Sequence, residues 1–333
     1  MTLKTDYQAI LQGAAVGDVT PRGMIAVSGS DRASYLQGLL TNDIEVLQPG
    51  TGCYSAWLTP QGRMMTDMHV IEGGGMLLLD VPAHVATSVK QRLEDLIFTE
   101  DVQIGDLTAD LSRVCIHGPE AAKLVEKTIP NVTGLDSWTQ YCNTRSTFKD
   151  ASVVVVRVDQ LGVPGFVIYL SSDSNAPLHD ALLASGALLV GTEAISATRI
   201  EAGIPLFGID MDEEIIPLEA GIESRAISFT KGCYVGQEVV IRILDRGHGR
   251  IAKKLVGLCL DSNTLPKPGT ILRAAGQDVG TVTSVASTPR SGPIALGYVH
   301  RDYVEPGSKV EVTGYEEFVS ATVSALPFPL VLR

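Results

Sequence analysis

Lys231-Gly232-Cys233-Tyr234-Val235-Gly236-Gln237-Glu238 is the most informative run in the chain. It lies inside residues 199–250, where Arg199-Ile200-Glu201-Ala202-Gly203-Ile204-Pro205, Asp210, Asp212 and Pro217-Leu218-Glu219-Ala220 precede it. Arg242, Arg246, His248 and Arg250 follow it. Polar residues are dense here in a chain that is otherwise apolar. Glycines on both sides of Cys233 free the backbone to turn and leave the thiol accessible. Lys231, two residues earlier, and Arg242 are cations of the kind that lower a thiol pKa and raise its thiolate fraction. Gln237 and Glu238 stand where they cap or open a following helix. Against this reading, free cysteine ordinarily packs as a small buried hydrophobe, and the spacing fits no nucleophile–base signature.

Outward from that run, the chain divides by pattern. Met24-Ile25-Ala26-Val27 reads as a strand entering Ser28-Gly29-Ser30-Asp31, where Ser30 or Asp31 caps a helix carrying Tyr35, Leu36, Leu39 and Leu40. Cys53 to Leu58 and Met65 to Ile71 read as neighbouring strands across the turn Thr59-Pro60-Gln61-Gly62. Gly73-Gly74-Gly75 turns into Met76-Leu77-Leu78-Leu79, and Val81 to Phe98 shows helical spacing. Around residue 110 the pattern restarts: strand Ser112–His117, helix Glu120–Lys127, strands Ser152–Val158 and Gly165–Leu170, helix Leu178–Ala184. This predicts a second α+β unit packed on the first. From about Ile251 short apolar runs alternate with Pro/Gly turns such as Pro266-Lys267-Pro268-Gly269 and Glu305-Pro306-Gly307, which predicts a C-terminal β-barrel or sandwich.

Composition narrows the function classes. The 333 residues are 45% hydrophobic and 19% charged, enough to bury a core in two or three domains. The net charge of −12 argues against a broad grip on nucleic acid, which needs clustered Lys and Arg. No apolar run approaches a membrane span, and Met1 to Gly17 reads as neither signal nor transit peptide. Cys53, Cys115, Cys142, Cys233 and Cys259 are odd in number and form no C-x-x-C pair. Reduced thiols in the cytoplasm, with no metal site, are therefore expected.

The eight-residue run resembles the signature of the YgfZ family of folate-binding proteins, relatives of the glycine-cleavage T-protein (aminomethyltransferase). The resemblance extends along the chain through Ser28 to Asp31, Tyr35-Leu36-Gln37-Gly38, Thr41-Asn42-Asp43, Gly62-Arg63 with Asp67, Arg199 to Pro205, and Val279 to Ser284 with Ala295 to Val299. It implies an α+β fold: a T-protein-like folate-binding core of interlocked subdomains with a C-terminal β-barrel. The implied boundaries are 1–110 completed by 186–248, a ferredoxin-like unit 111–185, and the barrel 249–333. It also implies tetrahydrofolate or a derivative as ligand, iron–sulfur client or assembly proteins as partners, and a monomer.

By that resemblance, Asp67 falls where T-proteins keep an aspartate beside the reacting folate nitrogen. A carboxylate there orients the nitrogen and stabilises developing positive charge. Val167 falls where T-proteins hold a pterin-binding glutamate, and Ile195 where they hold an arginine. Those departures and the cysteine run favour the YgfZ-like branch. Its implied role is iron–sulfur cluster assembly or repair, with linked tRNA thio-modification, through Cys233 and Lys231. The alternative is a tetrahydrofolate-dependent aminomethyl or methyl transferase using Asp67. Folate contacts are assigned to Asp67, Tyr54, Arg199, Glu201, Gln237, Glu238 and Arg242. Asp210, Asp212, Glu213 and Glu214 read as a solvated turn, His248 as a surface residue, and Trp57 as core.

Overall fold

The computed structural model describes residues 2–245, 250–314 and 319–329; Arg246 and His248 lie outside them. The hairpin Gly52–Leu58 and Met64–Glu72 turns at Thr59 to Gly62, where the Gly62 N–H donates to the Thr59 carbonyl at 2.8 Å. This hairpin starts a five-stranded antiparallel sheet that continues through Met76–Pro82, Arg22–Ser28 and Gln103–Asp106. One face buries Ile25, Leu77 and Leu79 with Leu36 of helix Arg32–Leu39 and Val89 and Leu93 of helix Ala86–Asp95. Trp57 lies in the same core. Helical spacing over Val81 to Phe98 overruns this helix at both ends. Val81 and Pro82 complete the strand, and a 3₁₀ turn at Ala83–Val85 precedes the first α-helical residue. Asp31 occupies the N-cap position, but its carboxylate accepts the Asp101 N–H at 2.8 Å and so ties the 101 loop instead.

The second sheet has the order Leu188–Leu189, Ala15–Val16, Leu111–His117, Gly165–Ser171, Ala151–Arg157, Asn143–Phe148. Two of its strands come from outside residues 111–185. The Ala15–Val16/Leu188–Leu189 pair is its parallel contact. Helices Ala121–Thr128 and Asn175–Ser185 cover one face, closing on Phe166, Ile168 and Leu170.

His117 at the end of this sheet is fully buried, with Nε2 3.1 Å from the Gly17 carbonyl. Burial lowers its pKa to about 4. The folded value lies below the unfolded value of about 6.5, so the contribution to stability is complete above pH 6.5 and lost as pH falls toward 4. Urea unfolding at pH 5 is therefore expected to show a loss of about 2 kcal/mol from this residue relative to pH 7. A His117→Gln variant should show a flatter dependence over that interval. An unchanged slope would contradict the assignment.

The barrel closes in the order Lys253–Leu260, Gly292–His300, Gln277–Thr288, Ile271–Ala274, Lys309–Val312, Val319–Ser324, and back to the first strand. Closure leaves no free sheet edge. Helix Thr192–Glu201 lies against barrel strand Gln277–Thr288 and fastens it with two buried ionic clusters. In the first, Arg199 donates to Asp210 at 2.7 Å, to the Ile204 carbonyl at 2.7 Å and to Ser284 at 2.9 Å. In the second, Glu201 accepts from Tyr7, Thr288 and Ser291 and pairs with Arg290 at 2.6 Å. Asp210 is thus a buried counter-ion and not part of a solvated turn, although Asp212, Glu213 and Glu214 are exposed.

Candidate active site

Strand pairing puts Tyr54 opposite His69 and Ala56 opposite Asp67. Side chains on a strand alternate faces and direct partners share one, so Tyr54, Asp67 and His69 project together. They line a cavity of about 320 Å³ that also takes in Arg22, Arg113, Tyr141, Gln160 and Arg225. A volume of this size suits a small-molecule ligand.

Asp67 is 4% exposed. The Tyr54 hydroxyl donates to its Oδ2 at 2.8 Å. Its Oδ1 has no hydrogen-bond partner; the nearest cation, Arg22 Nη1, stands 3.6 Å away. A buried carboxylate oxygen without a hydrogen bond is costly, and it is a candidate acceptor for a ligand. Gln160 Oε1 is a second buried acceptor without a partner among the residues lining the cavity. Nothing in the local pattern around Gln160 distinguishes it from a loop residue, and sequence reasoning missed it.

Behind the cavity, Asp80 is fully buried between Arg22, at 2.5 Å, and Arg113, at 3.0 Å, and accepts the Tyr169 hydroxyl at 2.5 Å. Burial by itself would raise the Asp80 pKa, but the two guanidinium groups outweigh it and hold the carboxyl well below its usual range. Arg113 also forms a bidentate pair with Asp18. Burial and the nearby Arg22 lower the His69 pKa to about 3, so its imidazole is neutral at pH 7. His69 Nδ1 lies 3.0 Å from the Tyr141 hydroxyl, and Tyr141 holds a left-handed backbone at φ 65°. That conformation is unusual for a bulky residue, and it aims the ring into the cavity.

Of the residues expected from sequence to hold ligand, Asp67 and Tyr54 meet in this cavity. Arg199 and Glu201 do not: both are consumed in the buried clusters under the barrel. Gln237, Glu238 and Arg242 sit on helix Gln237–Asp245 and border a separate surface depression with Val239 and Ile241. Val167 is buried among Cys115, Val156 and Tyr169 and does not line the cavity.

The cysteine run has an architectural account. Lys231 donates its three N–H bonds to the carbonyls of Gln37, Leu40 and Asn42, each at 2.7 Å. These groups sit at the C-terminal end of helix Arg32–Leu39, where a cation satisfies orphan carbonyls. The ammonium makes no hydrogen bond to the Cys233 thiol, so the expected pairing of the two is replaced by a helix cap. Burial lowers the Lys231 pKa to about 8. Tyr234 is buried, and Gly236 at φ 85° packs against the turn at Thr59, where a Cβ would approach the Thr59 carbonyl oxygen to 2.6 Å. Cys233 remains exposed.

Known proteins resemble this chain over nearly its whole length. The GCVT N-terminal domain model matches residues 1–231, and the glycine cleavage T-protein C-terminal barrel domain model matches residues 253–329. An aminomethyltransferase from Rubrobacter xylanophilus is 30% identical over 334 residues, covering 98% of this chain and 86% of the relative. One from Listeria monocytogenes is 28% identical over 337 residues, covering 98% and 89%. A putative chloroplastic transferase of Arabidopsis thaliana is 30% identical over 318 residues, covering 95% and 71%. The crystal structure of glycine cleavage system aminomethyltransferase T from Bartonella henselae superposes with a TM-score of 0.87 at 23% identity, covering 98% of this chain and 89% of that one. At that identity the superposition speaks for the fold, which is the α+β core and barrel that the sequence implied.

Proposed function

The chain belongs to the glycine cleavage T-protein family, and from that premise we propose that it is a tetrahydrofolate-dependent one-carbon transferase of the aminomethyltransferase type. The observation that carries the reading is Asp67, a buried cavity-lining carboxylate with one oxygen held by Tyr54 and the other without a hydrogen-bond partner, 3.6 Å from Arg22. A reduced pterin supplies N–H donors, and the free oxygens of Asp67 and Gln160 are the acceptors available to them. In this reading Asp67 accepts the N–H of the reacting folate nitrogen and keeps its lone pair directed at the incoming carbon. As the two folate nitrogens bond to the incoming carbon in turn, its bonds to the carrier sulfur and to the amine nitrogen break. The two folate N–H protons end on the released thiol and ammonia, and the attacking nitrogen passes through a positively charged state. The Asp67 carboxylate stabilises that charge and takes the proton. Tyr54 fixes the rotamer, while Arg22 spends its hydrogen bonds on Asp80 and stays 3.6 Å from Asp67 as a longer ion pair.

A second reading has one observation in its favour. Cys233 is exposed, while Lys231 caps a helix and Tyr234 is buried. An accessory role of the YgfZ type in iron–sulfur assembly, acting on client proteins through that thiol, uses this surface instead of the cavity. One variant separates the two. Cys233→Ala is expected to transfer an aminomethyl carbon from a loaded lipoyl carrier to tetrahydrofolate at the wild-type rate. Absence of transfer in the wild type, with iron–sulfur enzyme activity dependent on Cys233, would put the second reading ahead; loss of transfer in the variant alone would instead place the thiol in the transfer reaction.

A further inference from the structure

Three arginines line the cavity, and they differ in one respect. Arg22 and Arg113 are nine-tenths buried and paired with Asp80 and Asp18. Arg225 is exposed, and its guanidinium has no carboxylate partner among the described residues. It is nevertheless held in place. The group lies 5.1 Å from the centroid of the Tyr54 ring, a cation–π contact. Its backbone is pinned because Asn42 Nδ2 donates to the Arg225 carbonyl at 3.1 Å and Thr41 donates to the next carbonyl, Ala226, at 2.6 Å. Tyr54 therefore presents its hydroxyl to Asp67 inside the cavity and its ring face to Arg225 toward solvent. In a chain of net charge −12, an anionic ligand is repelled overall and needs a local cation to enter.

We infer that Arg225 anchors an anionic tail of the ligand at the cavity mouth and selects for ligands that carry a carboxylate there. The inference rests on the folate reading above, and for a folate the tail is its glutamate. A guanidinium preorganised by stacking offers a planar fork to a carboxylate at little entropic cost. The N–H acceptors Asp67 and Gln160 and the exposed Arg225 thus line one cavity.

The test compares equilibrium binding of tetrahydrofolate with that of tetrahydropteroate amide, which has the same ring system, keeps the benzoyl carboxyl as a neutral amide and has no glutamate. Wild type is expected to favour tetrahydrofolate about tenfold at low salt, with the preference shrinking as salt rises. Arg225→Met should weaken tetrahydrofolate binding about tenfold, leave tetrahydropteroate amide binding unchanged and abolish the preference. Arg225→Lys should retain part of it. Equal wild-type affinity for the two ligands overturns the inference, as does parallel loss of both in a folded Arg225→Met protein. So does a variant whose ligand preference is intact but whose KM for the lipoyl carrier rises, which would assign Arg225 to carrier docking. If tetrahydropteroate amide and tetrahydrofolate both fail to bind wild type, the folate reading falls and takes this inference with it.

Discussion

Asp67→Asn is expected to lower kcat for one-carbon transfer to tetrahydrofolate by about 10²–10⁴-fold at saturating ligand, in addition to weakening its binding. Asparagine keeps the shape of the side chain and still accepts the Tyr54 hydroxyl now held at 2.8 Å. With its oxygen engaged there, the amide turns N–H groups toward the cavity, where Asp67 now offers a bare acceptor. The variant therefore loses the group that directs the nitrogen lone pair and receives its proton. Folding should survive, because Arg22 stands 3.6 Å from Asp67 but is engaged with Asp80 at 2.5 Å. Steady-state kinetics with thermal melts checks both halves. A fall in kcat under threefold would remove Asp67 from the chemistry, and a collapse in melting temperature would make its role structural.

The second large effect concerns the support beneath that site. Asp80 is fully buried, with Arg22 on its own sheet and Arg113 and Tyr169 reaching it from the other. Asp80→Asn leaves two buried guanidinium groups short of their shared counter-ion, and breaking such a cluster from one side costs about 3–5 kcal/mol. Urea unfolding at pH 7 measures this directly, and a loss below about 1 kcal/mol would contradict it. The same carboxylate sets an acid dependence of known sign. Its folded pKa is depressed, so its contribution is present above the unfolded value of about 3.9 and is lost as pH falls below it. This lies beneath the windows of His117 and of His69, so losses above about pH 4 belong to the two histidines and the loss below about pH 3 to Asp80.

The barrel was legible because its signal is local. Pro/Gly turns punctuate short apolar strands, and each strand needs only its neighbours to be recognised. Asp67 was singled out by the resemblance of its surrounding block, while its shared face with Tyr54 appears only once the two strands are paired in register. Arg199, Glu201 and Lys231 were misread for one shared reason. A polar side chain committed to a distant partner looks, in sequence, like one committed to a ligand. Lys231 meets carbonyls 189 to 194 residues away, and Arg199 meets Ser284 across the barrel seam. Gln160 failed the other way: a lone glutamine in a loop announces nothing until the fold buries its oxygen beside a cavity. The second sheet drew strands from 15–16 and 188–189 because two-residue pairings carry no periodicity to detect.

The most direct test of the central claim is a single-turnover reaction followed by NMR. A lipoyl carrier loaded with a ¹³C-labelled aminomethyl group is mixed with tetrahydrofolate and a stoichiometric amount of this protein. The account predicts that the label appears in the methylene bridge of 5,10-methylenetetrahydrofolate with wild type and is all but absent with Asp67→Asn. Tight binding of tetrahydrofolate with the label remaining on the carrier would contradict it.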